Sequence, residues 1–151
     1  MDYLSNLPES LYENTILVDT SAFYALIDNA DQYNTDASNC LRQILINRLP
    51  LLVTNTTIIE THRRILLGRR LGYNKAAKFL KEVYNGTHKI MRVLLDDEVS
   101  AREIIFRYKG QNISYTDATN FAVMKRLGIG KAFSFDSQFS TVGFIKIPPF
   151  I

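Results

Sequence analysis

Short apolar segments alternate with longer helix-like segments along this chain, and that alternation restricts the fold more than any other feature. Residues 15–18 (TILV) read as a strand, β-branched and apolar. Residues 33–47 place Ala37, Leu41, Ile44 and Leu45 at helical spacing, and Pro50 closes that segment before a second strand at 51–54. The pattern predicts a helix over 57–71 stopped by Gly72, and another over 75–85 with Gly86 past its end. A third strand follows at 88–94. A helix over 96–109 carries acids in its first turn, as the helix dipole favours, and a helix over 116–127 stops at Gly128. Residues 132–135 form a fourth strand and 144–147 an edge strand before Pro148. Such alternation gives parallel strands with helices on both faces, a three-layer α/β/α fold around a parallel sheet of four to five strands.

Open parallel sheets bind ligands beyond the carboxyl ends of their strands, so the residues after each strand come first. Asp19 follows the first strand (ILVDTS) and Asp136 the fourth (AFSFDS). Glu60 falls at the start of the helix after the second strand (TNTTIIE), and Asp117 at the start of the helix before the fourth (ISYTDA). All four then lie at one edge of the sheet. Each has a simpler reading alone: Asp19 and Asp136 as N-caps, Thr57-to-Glu60 and Ser114-to-Asp117 as capping boxes. Capping does not account for four acids at one edge. Nor does it account for the hydroxyls beside each: Thr20 and Ser21, Thr54 and Thr57, Ser114 and Thr116, Ser134 and Ser137. Asp96, Asp97 and Glu98 read as a solvated first turn.

Clustered carboxylates repel one another unless cations neutralise them. Oxygen ligands without Cys or His suit the hard cations Mg²⁺ or Mn²⁺, which can activate water for attack on a phosphodiester. Composition agrees. The 151 residues suffice for one core, 46% are hydrophobic and 22% charged, and the net charge of +3 permits a nucleic-acid partner. Cys40 stands alone, which rules out an internal disulfide and a cysteine zinc site. No apolar run approaches the roughly 20 residues of a membrane span, and the acidic, polar start is unlike a secretory signal. The expectation is a reducing cytoplasm.

Taken together, ILVDTSAFYALID, TNTTIIETHRRI, SYTDATNFAVMKRLGI and AFSFDSQF resemble, in order, the four motifs of the PIN-domain ribonucleases. The resemblance runs from about residue 15 to the C-terminus; residues 1–14 form an arm of unknown role outside it. It implies an endoribonuclease with Mg²⁺ or Mn²⁺, water as nucleophile, and 5′-phosphate and 3′-hydroxyl products. Asp19, Glu60, Asp117 and Asp136 would be the catalytic and metal-holding acids, with Ser21 and Ser134 as polar accessories. Small stand-alone members are often VapC-type toxins of toxin–antitoxin pairs, inhibited by a cognate antitoxin and frequently homodimeric. A non-catalytic PIN-like RNA-binding or scaffold module is the alternative, and it would not need all four acids.

Other features carry less. Arg63, Arg64, Arg69 and Arg70 in HRRILLGRR suit RNA phosphates or a solvated helix face equally well. His62 and His88 lack a second ligand at metal spacing and read as surface or helix-end residues. Phe23, Tyr24, Phe121, Phe133 and Phe135 sit mostly at core-facing positions. Gly128-Ile-Gly130-Lys131 lacks both the first glycine and the Ser or Thr of a phosphate loop. A dehalogenase-like phosphatase would want a second Asp where Ser21 stands, and a receiver domain would want paired acids where Asp19 is single.

Overall fold

A computed structural model describes residues 11–149. Five parallel strands, β1 (Ile16–Val18), β2 (Leu51–Thr54), β3 (His88–Met91), β4 (Lys131–Phe133) and β5 (Ile145–Ile147), lie in the order β3-β2-β1-β4-β5. The helices between them are α1 (Thr20–Ile27), α2 (Asn34–Ile46), α3 (Asn55–Leu67), α4 (Gly72–Val83), α5 (Leu95–Arg107), α6 (Tyr115–Leu127) and α7 (Gln138–Thr141). Among the described residues no helix is long and apolar enough to cross a membrane.

Side chains alternate across the sheet as the pleat requires. Ile16, Val18, Leu51, Val53 and Phe133 pack on one face with Phe23, Ile44, Ile58, Ile65 and Phe79. Leu17, Leu52 and Ala132 pack on the other with Ile104, Phe121, Met124 and Phe139. The predicted three-layer architecture is the one observed. Because both faces are covered, the inner strands are mostly continuous apolar runs, broken only at their ends by Thr54 and Lys131, rather than alternating with polar residues.

The helix boundaries differ in one informative place. The expected helix over 57–71 is instead α3, which starts at Asn55 and ends at Leu67, with Gly68 as its C-cap. A Cβ on Gly68 would stand 3.0 Å from the Arg64 carbonyl and 3.2 Å from the Tyr24 hydroxyl, so the chain leaves the helix at a point where a side chain would be tightly packed. Gly72, at φ +72°, opens α4 rather than closing α3. Arg69 and Arg70 therefore lie in the connection between α3 and α4, not on the Glu60 helix. The four arginines also divide in their contacts. Arg64 lies over the Tyr24 ring at 5.1 Å, Arg70 pairs with buried Asp28 at 2.6 Å, and Arg63 and Arg69 are exposed.

Asp97 is a second correction. It is buried, not solvated: its carboxylate accepts the Leu94 amide at the α5 N-terminus and two hydrogen bonds from Arg126 on α6, at 2.8 and 2.9 Å. Burial raises its pKa, but the Arg126 hydrogen bonds and charge outweigh that and hold it below the usual value. This pair fastens α5 to α6, the helix that carries Asp117. Nor is His88 a surface or helix-end residue: it begins β3, half-buried against the Phe23 ring at 5.4 Å. Of the expected arm, residues 11–14 form a turn that lays Tyr12 against the second cluster, its hydroxyl accepting from Lys89. Residues 1–10 lie outside the described residues.

Candidate active site

The sheet order reverses between β1 and β4: β2 and β3 extend from one side of β1, β4 and β5 from the other. A crevice opens at such a point beyond the strand ends. Asp19 follows β1 there and Asp136 lies three residues beyond β4. Asp19 precedes α1 in the N-cap position, yet its side chain makes no capping hydrogen bond to the helix. It is 2% exposed, and its Oδ2 accepts from the hydroxyls of Ser21 and Ser134, each at 2.8 Å. Ser21 also receives the Phe135 amide, and Ser134 the Asp136 amide, so the two serines link the ends of β1 and β4. Asp136 accepts from the Gln138 amide at 3.0 Å in a local turn; the cap position of the short α7 is Ser137.

Glu60 is not part of a capping box. Because α3 starts at Asn55, its cap is Thr54, whose hydroxyl accepts from the Thr57 amide, and Glu60 lies one turn further on. Its Oε2 instead accepts from Thr20 at 2.9 Å, and Thr20 is in turn contacted by Thr61 at 3.2 Å. The Thr20 side chain thus orients Glu60 across 40 residues of chain, while its backbone hydrogen-bonds the adjacent Asp19. Asp117 does stand at the capping position expected: Ser114 caps α6 and accepts the Asp117 amide at 3.0 Å.

Electrostatics unite the four. Burial pushes the Asp117 carboxyl up to about 8, helped by the charges of Asp19, Asp136 and Glu60 and only partly opposed by the Ser114 hydrogen bond. The Asp19 carboxyl is also raised, first by burial and then by Asp136; the Ser21 and Ser134 hydrogen bonds and the Thr20 backbone resist without cancelling it. Elsewhere the chain pairs its buried acids with arginine, Asp28 with Arg70 and Asp97 with Arg126. None of the four acids has such an ion pair among the described residues. Their mutual repulsion is not offset by an ion pair among the described residues.

That donor set fits a hard divalent cation. Among the described residues, no three Asp, Glu, His or Cys side chains are close enough to cage an ion by themselves. Mg²⁺ sites commonly take one or two direct carboxylates, with waters and substrate phosphate as the other ligands. His62 and His88 add nothing to the donor set. Two residues that the sequence does not single out complete the surroundings, Thr61 and Asn120, both buried. Asn120 had a signal: a carboxamide inside an otherwise apolar stretch of helix, one turn beyond Asp117, requires buried partners.

Comparison with known proteins agrees with this architecture. The PIN domain family model matches residues 16–145. The 23S rRNA-specific endonuclease VapC20 of Mycobacterium tuberculosis, from two strains, is 32% identical over 135 residues, spanning 89% of this chain and 98% of that protein. The crystal structure of M. tuberculosis VapC20, described as a Sarcin-Ricin loop cleaving toxin, superposes with a TM-score of 0.75 at 31% identity, covering 86% of this chain and 96% of that one. A toxin–antitoxin complex from Klebsiella pneumoniae shares the fold at a TM-score of 0.64 and 13% identity, over 89% of this chain and 98% of that one. A parallel sheet whose order reverses at β1 and β4, a family match over residues 16–145 and 32% identity to a relative along 89% of the chain lead to one assignment: the chain belongs to the PIN domain family.

Proposed function

We propose that this protein is a metal-dependent endoribonuclease that hydrolyses RNA phosphodiester bonds at the Asp19–Glu60–Asp117–Asp136 site. The observation that carries the reading is the Asp117 carboxyl, raised to about 8 by burial and by three further acids, none of them in an ion pair among the described residues. Neutral replacement would relieve the repulsion in a purely structural cluster, and a bound cation would offset it equally, which supports a cation site here. Bound Mg²⁺ or Mn²⁺ would supply a water of lowered pKa and positive charge against the phosphoryl oxygens.

The chain's own residues do the rest. Asp19 and Asp117, the acids with raised pKa, would hold the ion and would be deprotonated as it enters. Ser21 and Ser134 fix the Asp19 carboxylate by hydrogen bonds to one oxygen, leaving the other turned from them. Thr20 does the same for Glu60. Asp136, only partly buried, lies where it can complete the ligand set. Wild-type protein with Mn²⁺ should cleave RNA to 5′-phosphate ends, and chelation should stop it. Cleavage that persists undiminished in a chelator would refute the metal-dependent reading.

VapC20 acts on 23S rRNA, and structured ribosomal RNA is accordingly the first substrate to test. Exposed Arg63 and Arg69 are the phosphate contacts favoured here, since Arg64 and Arg70 already have protein partners. Replacing both by Ala should flatten the log–log salt dependence of RNA binding by roughly 1.4, at about 0.7 per phosphate contact on single strands. An unchanged slope would make that face merely solvated.

By likeness to a toxin of this kind, we further propose a cytoplasmic setting, a cognate antitoxin and a homodimer. Ile59, Leu66 and Leu67 on α3, and Leu95, Val99 and Phe106 on α5, form exposed apolar stripes suited to pairing. Sedimentation should show a dimer that Phe106→Glu dissociates; a wild-type monomer would exclude it.

A further inference from the structure

We propose that Asn120 is a positioning residue for the acid cluster, tying the helix that bears Asp117 to the helix that bears Glu60 and so fixing the separation of those two carboxylates. The inference rests on the nuclease reading above and concerns how its site is held.

Asn120 lies on α6, three residues after Asp117; Thr57 lies on α3, three residues before Glu60. Residues three apart on a helix are neighbours on its surface, so a contact between Asn120 and Thr57 acts one turn from each acid. The contact is a closed set of hydrogen bonds. The Thr54 hydroxyl donates to Asn120 Oδ1 at 2.6 Å, Asn120 Nδ2 donates to Thr57 Oγ1 at 2.9 Å, and Thr57 Oγ1 approaches Asn120 Oδ1 at 3.3 Å. Thr54 also caps α3 through the Thr57 amide. Thr54, Thr57 and Asn120 are each 0% exposed.

A carboxamide is suited to this place. It offers an acceptor and a donor about one hydrogen-bond length apart, which matches two hydroxyls on successive turns of another element. It carries no charge, so it adds neither a competing anion nor a cation that would fill the site. A hydrophobic side chain would close the same gap without fixing rotation or sliding of α6 on α3. Buried polar networks specify one geometry when every member is satisfied, and residues behind metal ligands commonly govern metal affinity and activity through orientation. Shifted apart, Asp117 and Glu60 would each keep their local contacts, Ser114 and Thr20, but would lose their common focus.

The test uses Thr57→Val, which keeps the side chain's shape and removes its oxygen, Thr57→Ser, which keeps the oxygen, and Asn120→Ser, with Asp117→Asn as reference. Mn²⁺ affinity is measured without RNA from the free-ion paramagnetic signal, and kcat and KM are measured with RNA well below each melting point. Thr57→Val and Asn120→Ser should weaken Mn²⁺ binding and lower kcat by about tenfold, with KM for RNA nearly unchanged. Thr57→Ser should restore both. Should Asn120→Ser fail to fold, Thr57→Val against Thr57→Ser decides alone. Lower melting points with wild-type Mn²⁺ affinity and kcat would overturn the proposal and leave Asn120 a structural residue. If Asp117→Asn itself retains activity, the nuclease site is wrong and the positioning role falls with it; if only Asp117→Asn is inactive, the positioning role alone is wrong.

Discussion

Asp117→Asn should cut RNA cleavage by at least about a hundredfold while the protein stays folded and, without metal, melts at the same or a higher temperature. The two halves have one cause. At this position the carboxyl is half-buried beside three acids, so ionising it costs folding free energy, and a neutral amide removes that cost. Asn still leaves its backbone amide for Ser114. The same amide cannot supply the anionic oxygen that a Mg²⁺ or Mn²⁺ site requires. Asp19→Asn should behave alike, because an Asn Oδ1 in place of the aspartate Oδ2 can still accept from Ser21 and Ser134. Asp136→Asn should be the mildest, since a fourth acid is the ligand that water most easily replaces in a Mg²⁺ shell. Thermal melts and single-turnover cleavage of one RNA check all three. A stabilised but fully active Asp117→Asn would separate the charge cluster from catalysis.

Mn²⁺ should raise the melting temperature more at pH 8 than at pH 5. Asp117 has a raised pKa in the fold, about 8 against an ordinary 3.8. Between those values the folded state holds more protons than the unfolded chain, so metal-free stability falls as pH rises through that window and levels off above it. Asp19 acts in the same sense. Asp28 and Asp97 act oppositely. Burial raises each, but their arginine partners hold both below the ordinary value, so their contribution is present above it and lost as pH falls. The metal-free protein should therefore be most stable in mild acid. At a hundred times its dissociation constant a ligand adds about 2.7 kcal/mol, roughly 5–10 °C for a domain of this size. That gain should shrink at pH 5, where protons compete for the carboxylates, and should largely vanish in Asp19→Asn. Equal gains in wild type and variant would place the ion elsewhere.

The parts of this molecule legible in its sequence are those set locally. The strand β2 at 51–54 is bounded by Pro50 and by the threonines that open α3, and the end of α6 is written in Gly128, which takes the left-handed conformation at φ +72°. Asp19 and Asp136 were visible because the sheet rule directs attention just past strands. What was not legible depends on distant partners. The room at Gly68, where a Cβ would stand 3.2 Å from a Tyr24 hydroxyl contributed by α1, is invisible in the local sequence. Asp97 reads as solvated because Arg126, which buries it, lies 29 residues away. The simpler capping-box reading of Glu60 fails because Thr54 both ends a strand and caps a helix, a double use that shifts the helix start by two residues. The short α7 has one turn and therefore no periodicity to detect.

The central claim is that Asp117 and its neighbours form one cation site, and proton release on metal binding tests it most directly. Calorimetric titration of Mn²⁺ into metal-free protein at pH 7, repeated in buffers of different ionisation enthalpy, counts the protons displaced. With the Asp117 carboxyl near 8, the account predicts release of close to one proton per ion bound, falling steeply in Asp117→Asn. Binding without proton release, or with equal release in wild type and Asp117→Asn, would contradict it.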